Sequence, residues 1–392
     1  MHHAIENTQN YVAQTYKRAP FVLQKGQGAY VWDTDGRRYL DMVSGIAVMS
    51  LGHSDPQIVD IIRQQADQLV HVSNLYYTEA QAELARALCE RSFAERVFFC
   101  NSGAEANEAC IKFARKFAYA HGESRPEIIA FSHAFHGRTM GALSLTPKPA
   151  YQDPFRPLMA GATILPVNDS EAFLGAMSER VCAVIVEPIQ GEGGVRPVEA
   201  DFLRLLRETC DRVGALLIFD EVQCGLGRTG TLWAHEGVGV TPDLMSLAKP
   251  LAAGLPIGAV LMSERVHQAL TAGDHGSTFA GGPLVCTVAK HVLERIAAPT
   301  FLAHVREVAD YLWERLAEIN SPHIVEIRGR GLMLGVDLDF PVAELIDGGY
   351  QQDLLLVGAG PNTLRLLPPL IVQKSDVDFF IERFTALLAA KA

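Results

Sequence analysis

Three segments carry side chains whose types and spacing suit the chemistry of amines and carbonyls. Asp220, in Phe219-Asp220-Glu221-Val222-Gln223, follows the apolar run 216–219 at the carboxyl end of an expected buried strand. In an α/β sheet, ligands bind at that edge. A carboxylate placed there needs a cationic partner. Lys249, in Ser246-Leu247-Ala248-Lys249-Pro250, ends the next expected strand and faces the same edge. Partial desolvation lowers the pKa of a lysine so placed, and neutral lysine forms Schiff bases with carbonyls. The third segment is Asn101-Ser102-Gly103-Ala104-Glu105-Ala106-Asn107-Glu108. There a hydroxyl and bare backbone N–H groups open a helix, a natural seat for phosphate. Each segment alone admits a plainer reading: a turn-capping aspartate, a solvated lysine, and a capping box from Ser102 to Glu105.

These residues need a sheet to hold them. Short apolar runs at 97–100, 128–132, 162–166, 183–187, 215–219, 244–248 and 258–262 are strand candidates. Several lack alternation, as strands buried on both faces do. Between them, helical patterns span 105–121, 170–179 and 201–213; the first has apolar residues at 106, 109, 110, 113, 114 and 117, one helical face. This repetition implies an α/β layer with a largely parallel sheet. The C-terminal part changes character, with one long helical stretch at 283–320, strand candidates at 324–327, 331–338, 354–357 and 364–366, and a last helix at 375–390. A hairpin is expected at 29–33 and 38–41 around Thr34-Asp35-Gly36, packed on the C-terminal part.

Composition narrows the partners. The net charge of −11 sets nucleic acid and anionic membranes aside. No apolar run reaches the roughly 18 residues of a membrane span, and the polar start has no signal-peptide pattern. Seven scattered cysteines without a CxxC pair read as reduced thiols, so a cytoplasmic protein is expected. Two further patterns are set aside. The glycine run 225–230 lies too far from its strand and opens no helix, so it is not a dinucleotide fingerprint. His133 and His136 lack a third metal ligand nearby.

A Schiff-base lysine, an acid for a pyridinium nitrogen and a phosphate cradle on one sheet edge are what pyridoxal 5'-phosphate requires. From about Tyr16 to Leu388 the chain resembles the class-III, fold-type-I aminotransferases, most closely their acetylornithine aminotransferase group. The motifs that carry the resemblance occur in order: the Asn101–Glu108 segment, His133-Ala134-Phe135-His136-Gly137-Arg138-Thr139, Phe219–Gln223 with the glycine run 225–230, and the 249–259 stretch from Lys249 to Ala259. The resemblance implies an α/β fold of the pyridoxal-phosphate transferase type I. Its large domain, with a mostly parallel seven-stranded sheet, would span 50–275, and a smaller α+β domain would combine 1–49 with 276–392.

The resemblance also implies roles. Lys249 is similar to the lysine that binds the cofactor and moves the substrate proton, and Asp220 to the partner of the pyridine nitrogen. Gln223 would bond the ring's phenolic oxygen and Phe135 would stack on the ring, beside Val222. Ser102, Gly103 and Ala104 match the phosphate loop. Ser277 and Thr278, in Gly276-Ser277-Thr278-Phe279-Ala280-Gly281-Gly282, match a segment that completes the partner subunit's site, so a homodimer with shared sites is implied. Arg138 resembles the arginine that grips a substrate carboxylate, and Arg365 a second one. Glu192 resembles the acid that pairs with Arg365 when no second carboxylate is bound. Tyr16 matches a substrate-side tyrosine. Ile46 stands where enzymes for free ornithine carry an aromatic, which favours an acylated donor. The implied reaction passes the terminal amine of N2-acetyl-L-ornithine to 2-oxoglutarate, giving N-acetyl-L-glutamate 5-semialdehyde and L-glutamate in arginine biosynthesis. Other ω-amine donors (4-aminobutyrate, N-succinylornithine, ornithine, a lysine-pathway analogue) and an aminomutase are the alternatives.

Overall fold

The computed structural model describes residues 2–391. The apolar runs in the middle of the chain form one seven-stranded sheet. Its strands are β1 (Arg96–Cys100), β2 (Glu127–Phe131), β3 (Ala162–Leu165), β4 (Val181–Val186), β5 (Leu216–Asp220), β6 (Leu244–Leu247) and β7 (Gly258–Met262). Each lies within a residue or two of its expected span. They sit in the order β1-β7-β6-β5-β4-β2-β3. Neighbours run parallel except at β7, which is antiparallel to β1 and β6.

Both faces of this sheet are covered, which is why its central strands show no alternation in sequence. Every residue of β4 and β5 is buried. Leu216 and Ile218 pack on the side of helix α1 (Gly103–Ala120), and Leu217 and Phe219 on the side of helix α2 (Ala200–Val213). By the same alternation Asp220 turns toward α1. Helix α2 buries Phe202, Leu203 and Leu206. Each such side chain stabilises the fold by about 1.5–3 kcal/mol. Gly214 ends this helix at φ 74°, a left-handed position that favours glycine.

The C-terminal part forms an antiparallel sheet of β8 (Ile324–Arg330), β9 (Met333–Leu338), β10 (Val357–Gly358) and β11 (Thr363–Leu366), in the order β8-β9-β11-β10. The expected strand at 354–357 divides. Leu354–Leu355 pairs with Arg38–Asp41 of the N-terminal meander, while Val357 pairs with Arg365. The expected helix over 283–320 is two helices, Pro283–Ile296 and Pro299–Ala317. Pro299 has no N–H to donate to the preceding turn, so it opens a new helix instead of continuing one.

The glycine run 225–230 has a structural use. Its Arg228 is 1% exposed and donates through Nη1 to the carbonyls of Leu332 (3.1 Å) and Pro368 (2.5 Å). Nη2 reaches toward Ser50 Oγ at 3.5 Å. Burial lowers its pKa to about 9, and no carboxylate among the described residues pairs with it.

Candidate active site

The carboxyl end of β5 delivers Asp220 into a buried hydrogen-bonded cluster. Its Oδ2 accepts from Asn107 Nδ2 at 2.7 Å and from His136 Nδ1 at 2.8 Å. Its Oδ1 accepts from the Val222 backbone N–H at 3.0 Å. A carboxylate only accepts, so the His136 proton sits on Nδ1. Asn107 lies on α1 and also donates to the His136 carbonyl at 2.7 Å, which ties the 133–138 loop to the helix. Among the described residues, His136 Nε2 and Asn107 Oδ1 are buried without partners.

Ser102 caps α1, accepting from the Glu105 N–H at 3.2 Å, and Glu105 reaches back to the Asn101 N–H at 2.7 Å. The plain capping arrangement is therefore present, and Gly103 and Ala104, the first residues of α1, line the cavity. The helix start also lies close against Val222. A Cβ at Gly103 would stand 2.7 Å from Val222 Cγ1, so only glycine fits there. Lys249 follows β6 and opens the short turn Lys249–Ala252. Desolvation holds its pKa below that of a free lysine and the Arg365 charge adds to this, while Glu192, Asp220 and Glu187 oppose it.

Lys249, Asp220, Gly103, Ala104, Val222 and Gln223 line one cavity of about 230 Å³. Phe135, Arg138, Asn107, His136 and Glu187 also line it. The Arg138 guanidinium lies 3.5 Å from the centre of the Tyr151 ring and has no carboxylate partner among the described residues. Beside the cavity, on β11, Arg365 is 1% exposed. Its Nη1 donates to Glu192 Oε1 at 2.6 Å and to Gln223 Oε1 at 3.1 Å. Burial alone would raise the Glu192 carboxyl, but the Arg365 charge and hydrogen bond hold it below the usual carboxylate range.

The remaining expected residues lie elsewhere in the chain. Tyr16 is 73% exposed and lines a separate open hollow of about 1210 Å³ near the N-terminus, which holds none of these groups. Ser277 Oγ accepts from Asn101 Nδ2 at 2.9 Å, and Thr278 is exposed; neither lines the Lys249 cavity. Ile46 sits in a turn where Ser44, Gly45, Ile46 and Ala47 have φ of 47°, 63°, 64° and 63°. A β-branched residue with positive φ is strained, so its surroundings must hold it. Asp41 does so by accepting from the Val43 and Ser44 N–H groups at 2.9 and 2.8 Å.

Sequence reasoning missed three groups: His136, Asn107 and Glu187. Glu187 follows β4 as Asp220 ends β5, and that shared strand-end position was the available signal. The site fits pyridoxal phosphate on its own terms. It offers an amine of lowered pKa, a clustered carboxylate, a glycine-only approach to a helix N-terminus, and two unpartnered buried polar atoms.

The sequence profile of the family described as aminotransferase class-III matches residues 11–388. The chain is 51% identical over 372 residues to the mitochondrial acetylornithine aminotransferase of Alnus glutinosa, covering 93% of this chain and 82% of that protein. It superposes on the N-acetylornithine aminotransferase of Stenotrophomonas maltophilia with TM-score 0.85 and 39% identity over 99% of each chain. An ornithine aminotransferase from Toxoplasma gondii, crystallised with partial occupancy of PLP at its active site, gives TM-score 0.95 and 32% identity over 99% of this chain and 93% of that one. Backbone likeness thus does not separate the two donors; side chains must. The chain belongs to the class-III aminotransferases and is a pyridoxal-phosphate-dependent transaminase.

Proposed function

We propose that the protein transfers the terminal amine of N2-acetyl-L-ornithine to 2-oxoglutarate, giving N-acetyl-L-glutamate 5-semialdehyde and L-glutamate, a step of arginine biosynthesis. The relatives of that name support the donor. The observation that carries the reading is the Glu192–Arg365 pair beside a cavity lined by Arg138, which has no carboxylate partner among the described residues. A donor with one distant carboxylate uses Arg138 and leaves the pair closed. A dicarboxylic oxoacid uses both arginines and displaces Glu192. A bidentate guanidinium suits either carboxylate.

When bound, pyridoxal phosphate carries the amino group between substrates and withdraws electrons from the carbon that loses its proton. Ser102, Gly103 and Ala104 would hold its phosphate at the start of α1. Phe135 and Val222 would enclose the ring, and the Gln223 NH₂ would donate to the ring oxygen, since its carbonyl is engaged by Arg365. Asp220 would keep the ring nitrogen protonated, and His136 and Asn107 hold Asp220 in place. Neutral Lys249 takes the proton from the carbon that bears the donor's terminal nitrogen.

The exposed Thr278, with Ser277 beside it, supports a homodimer in which each copy completes the other's site. The motif match alone assigns Tyr16 and Ile46 to the substrate side; within one copy neither lines the Lys249 cavity. The pairing of Arg38–Asp41 with Leu354–Leu355 supports a smaller domain of 1–49 and 276–392 around a large domain of 50–275. No helix of the described residues is long and apolar enough to cross a membrane, and with the scattered thiols this supports a cytoplasmic enzyme.

The test is a half-reaction panel on cofactor-loaded enzyme, following loss of the cofactor's visible band with each amine separately. N2-acetylornithine is expected to react far faster than ornithine or 4-aminobutyrate, with N-succinylornithine between. If ornithine or 4-aminobutyrate reacts fastest, the donor assignment fails and the family stands.

A further inference from the structure

Glu187 is 5% exposed and follows β4 on the cavity wall. Its two carboxylate oxygens serve two different loops. Oε1 accepts the Phe135 backbone N–H at 2.9 Å, and Oε2 accepts the Gly191 N–H at 3.0 Å. The loops also touch directly: a Cβ at Gly193 would stand 2.3 Å from the His133 carbonyl oxygen. Gly191 itself lies against Gln223, where a Cβ would be 2.3 Å from Oε1, the atom that accepts from Arg365. We propose that Glu187 is a positioning residue that clamps the turn carrying Glu192 to the loop carrying Phe135, and so holds Glu192 on Arg365 when a monocarboxylate donor is bound. This rests on the two-arginine reading of the site.

Chemistry supports a carboxylate here rather than a space-filling group. Burial, with the Asp220 charge second, pushes the Glu187 carboxyl up to about 7, so keeping it ionised has a cost. The ionised form accepts fully on both oxygens, whereas protonation turns one oxygen into an O–H donor and a poorer acceptor. A glutamine accepts one and turns its NH₂ against the other N–H. Without the clamp, the closed pair loses its fixed end and Arg365 is freed more often.

The experiment compares E187Q and E192Q with the unaltered holoenzyme, using L-glutamate and N2-acetylornithine as separate amine donors, and records the visible circular dichroism of the bound cofactor. E192Q is expected to shift the ratio of half-reaction efficiencies toward glutamate. E187Q is expected to shift it the same way by about tenfold, the loss of one buried hydrogen bond, and to change the dichroism through Phe135. Equal slowing of both half-reactions by E187Q, or an unmoved ratio, overturns the clamp. An unmoved ratio in E192Q overturns the two-arginine reading and the clamp with it. If E187Q does not hold cofactor, E187D carries the same comparison, because its side chain is one methylene too short to span both N–H groups.

Discussion

Lys249 works between opposed charges, and that sets the pH dependence of the site. Burial lowers its pKa most, the Arg365 charge lowers it further, and Glu192 raises it. The proton-accepting form is the neutral amine, so activity falls as pH drops through the Lys249 pKa. R365Q removes the lowering charge and leaves Glu192 unneutralised, and both changes raise that pKa. The acid limb of the half-reaction with N2-acetylornithine is therefore expected to move to higher pH in R365Q, as a rate-against-pH profile would show. An unmoved limb would mean Lys249 is not the group that titrates. At Asp220, D220N would remove the charge proposed to hold the ring nitrogen protonated, and turnover is expected to fall about a hundredfold or more. Steady-state kinetics on cofactor-saturated protein check this. Asp220 and Lys249 were legible in sequence because each follows a buried apolar run. His136 and Asn107 were not, because their contact with Asp220 spans 84 and 113 residues of chain and leaves no local pattern.

Among the elements, β5 shows how a sheet aims a functional group. Its alternate residues divide between two apolar layers, so the residue after Phe219 faces α1 and meets Asn107 there. Leu206 of α2 is fully buried against the opposite face. L206A is expected to destabilise the fold by about 2–5 kcal/mol, measured as a lower denaturant midpoint, with the cavity chemistry unchanged. The sheet was legible because its strands are uninterrupted apolar runs between helical patterns. The helices Pro56–Ala66 and Glu79–Cys89 escaped the reading, since each buries only a narrow stripe and no strand run brackets them. The long helix was over-extended because apolar residues continue past Pro299 and mask the break. The turn at Ile46 has no sequence signature, since its left-handed geometry is imposed by Asp41 and by packing.

At the scale of the whole molecule, all seven cysteines are free thiols. Burial pushes those of Cys100, Cys182, Cys210 and Cys286 up to about 12, and those of Cys110 and Cys224 well above the usual thiol value. Only Cys89 is partly exposed. A thiol reagent is therefore expected to label at most one site in the native protein and all seven after denaturation. Mass spectrometry of the labelled chain decides it, and labelling of Cys110 or Cys224 without unfolding would contradict the packing. The buried Arg228 bears on how such a molecule is made. Its Nη1 donates to the carbonyls at 332 and 368, Nη2 reaches toward Ser50, and Nε is buried without a partner among the described residues. A chain growing from the ribosome lays down the whole central sheet well before residue 368 emerges. Until then this charged side chain lacks the Pro368 carbonyl, one of its two carbonyl partners, and its burial stays incompletely compensated. Closure of that loop is therefore expected to wait on the last stretch of synthesis, and a chain cut before residue 368 is expected to leave Arg228 without that carbonyl.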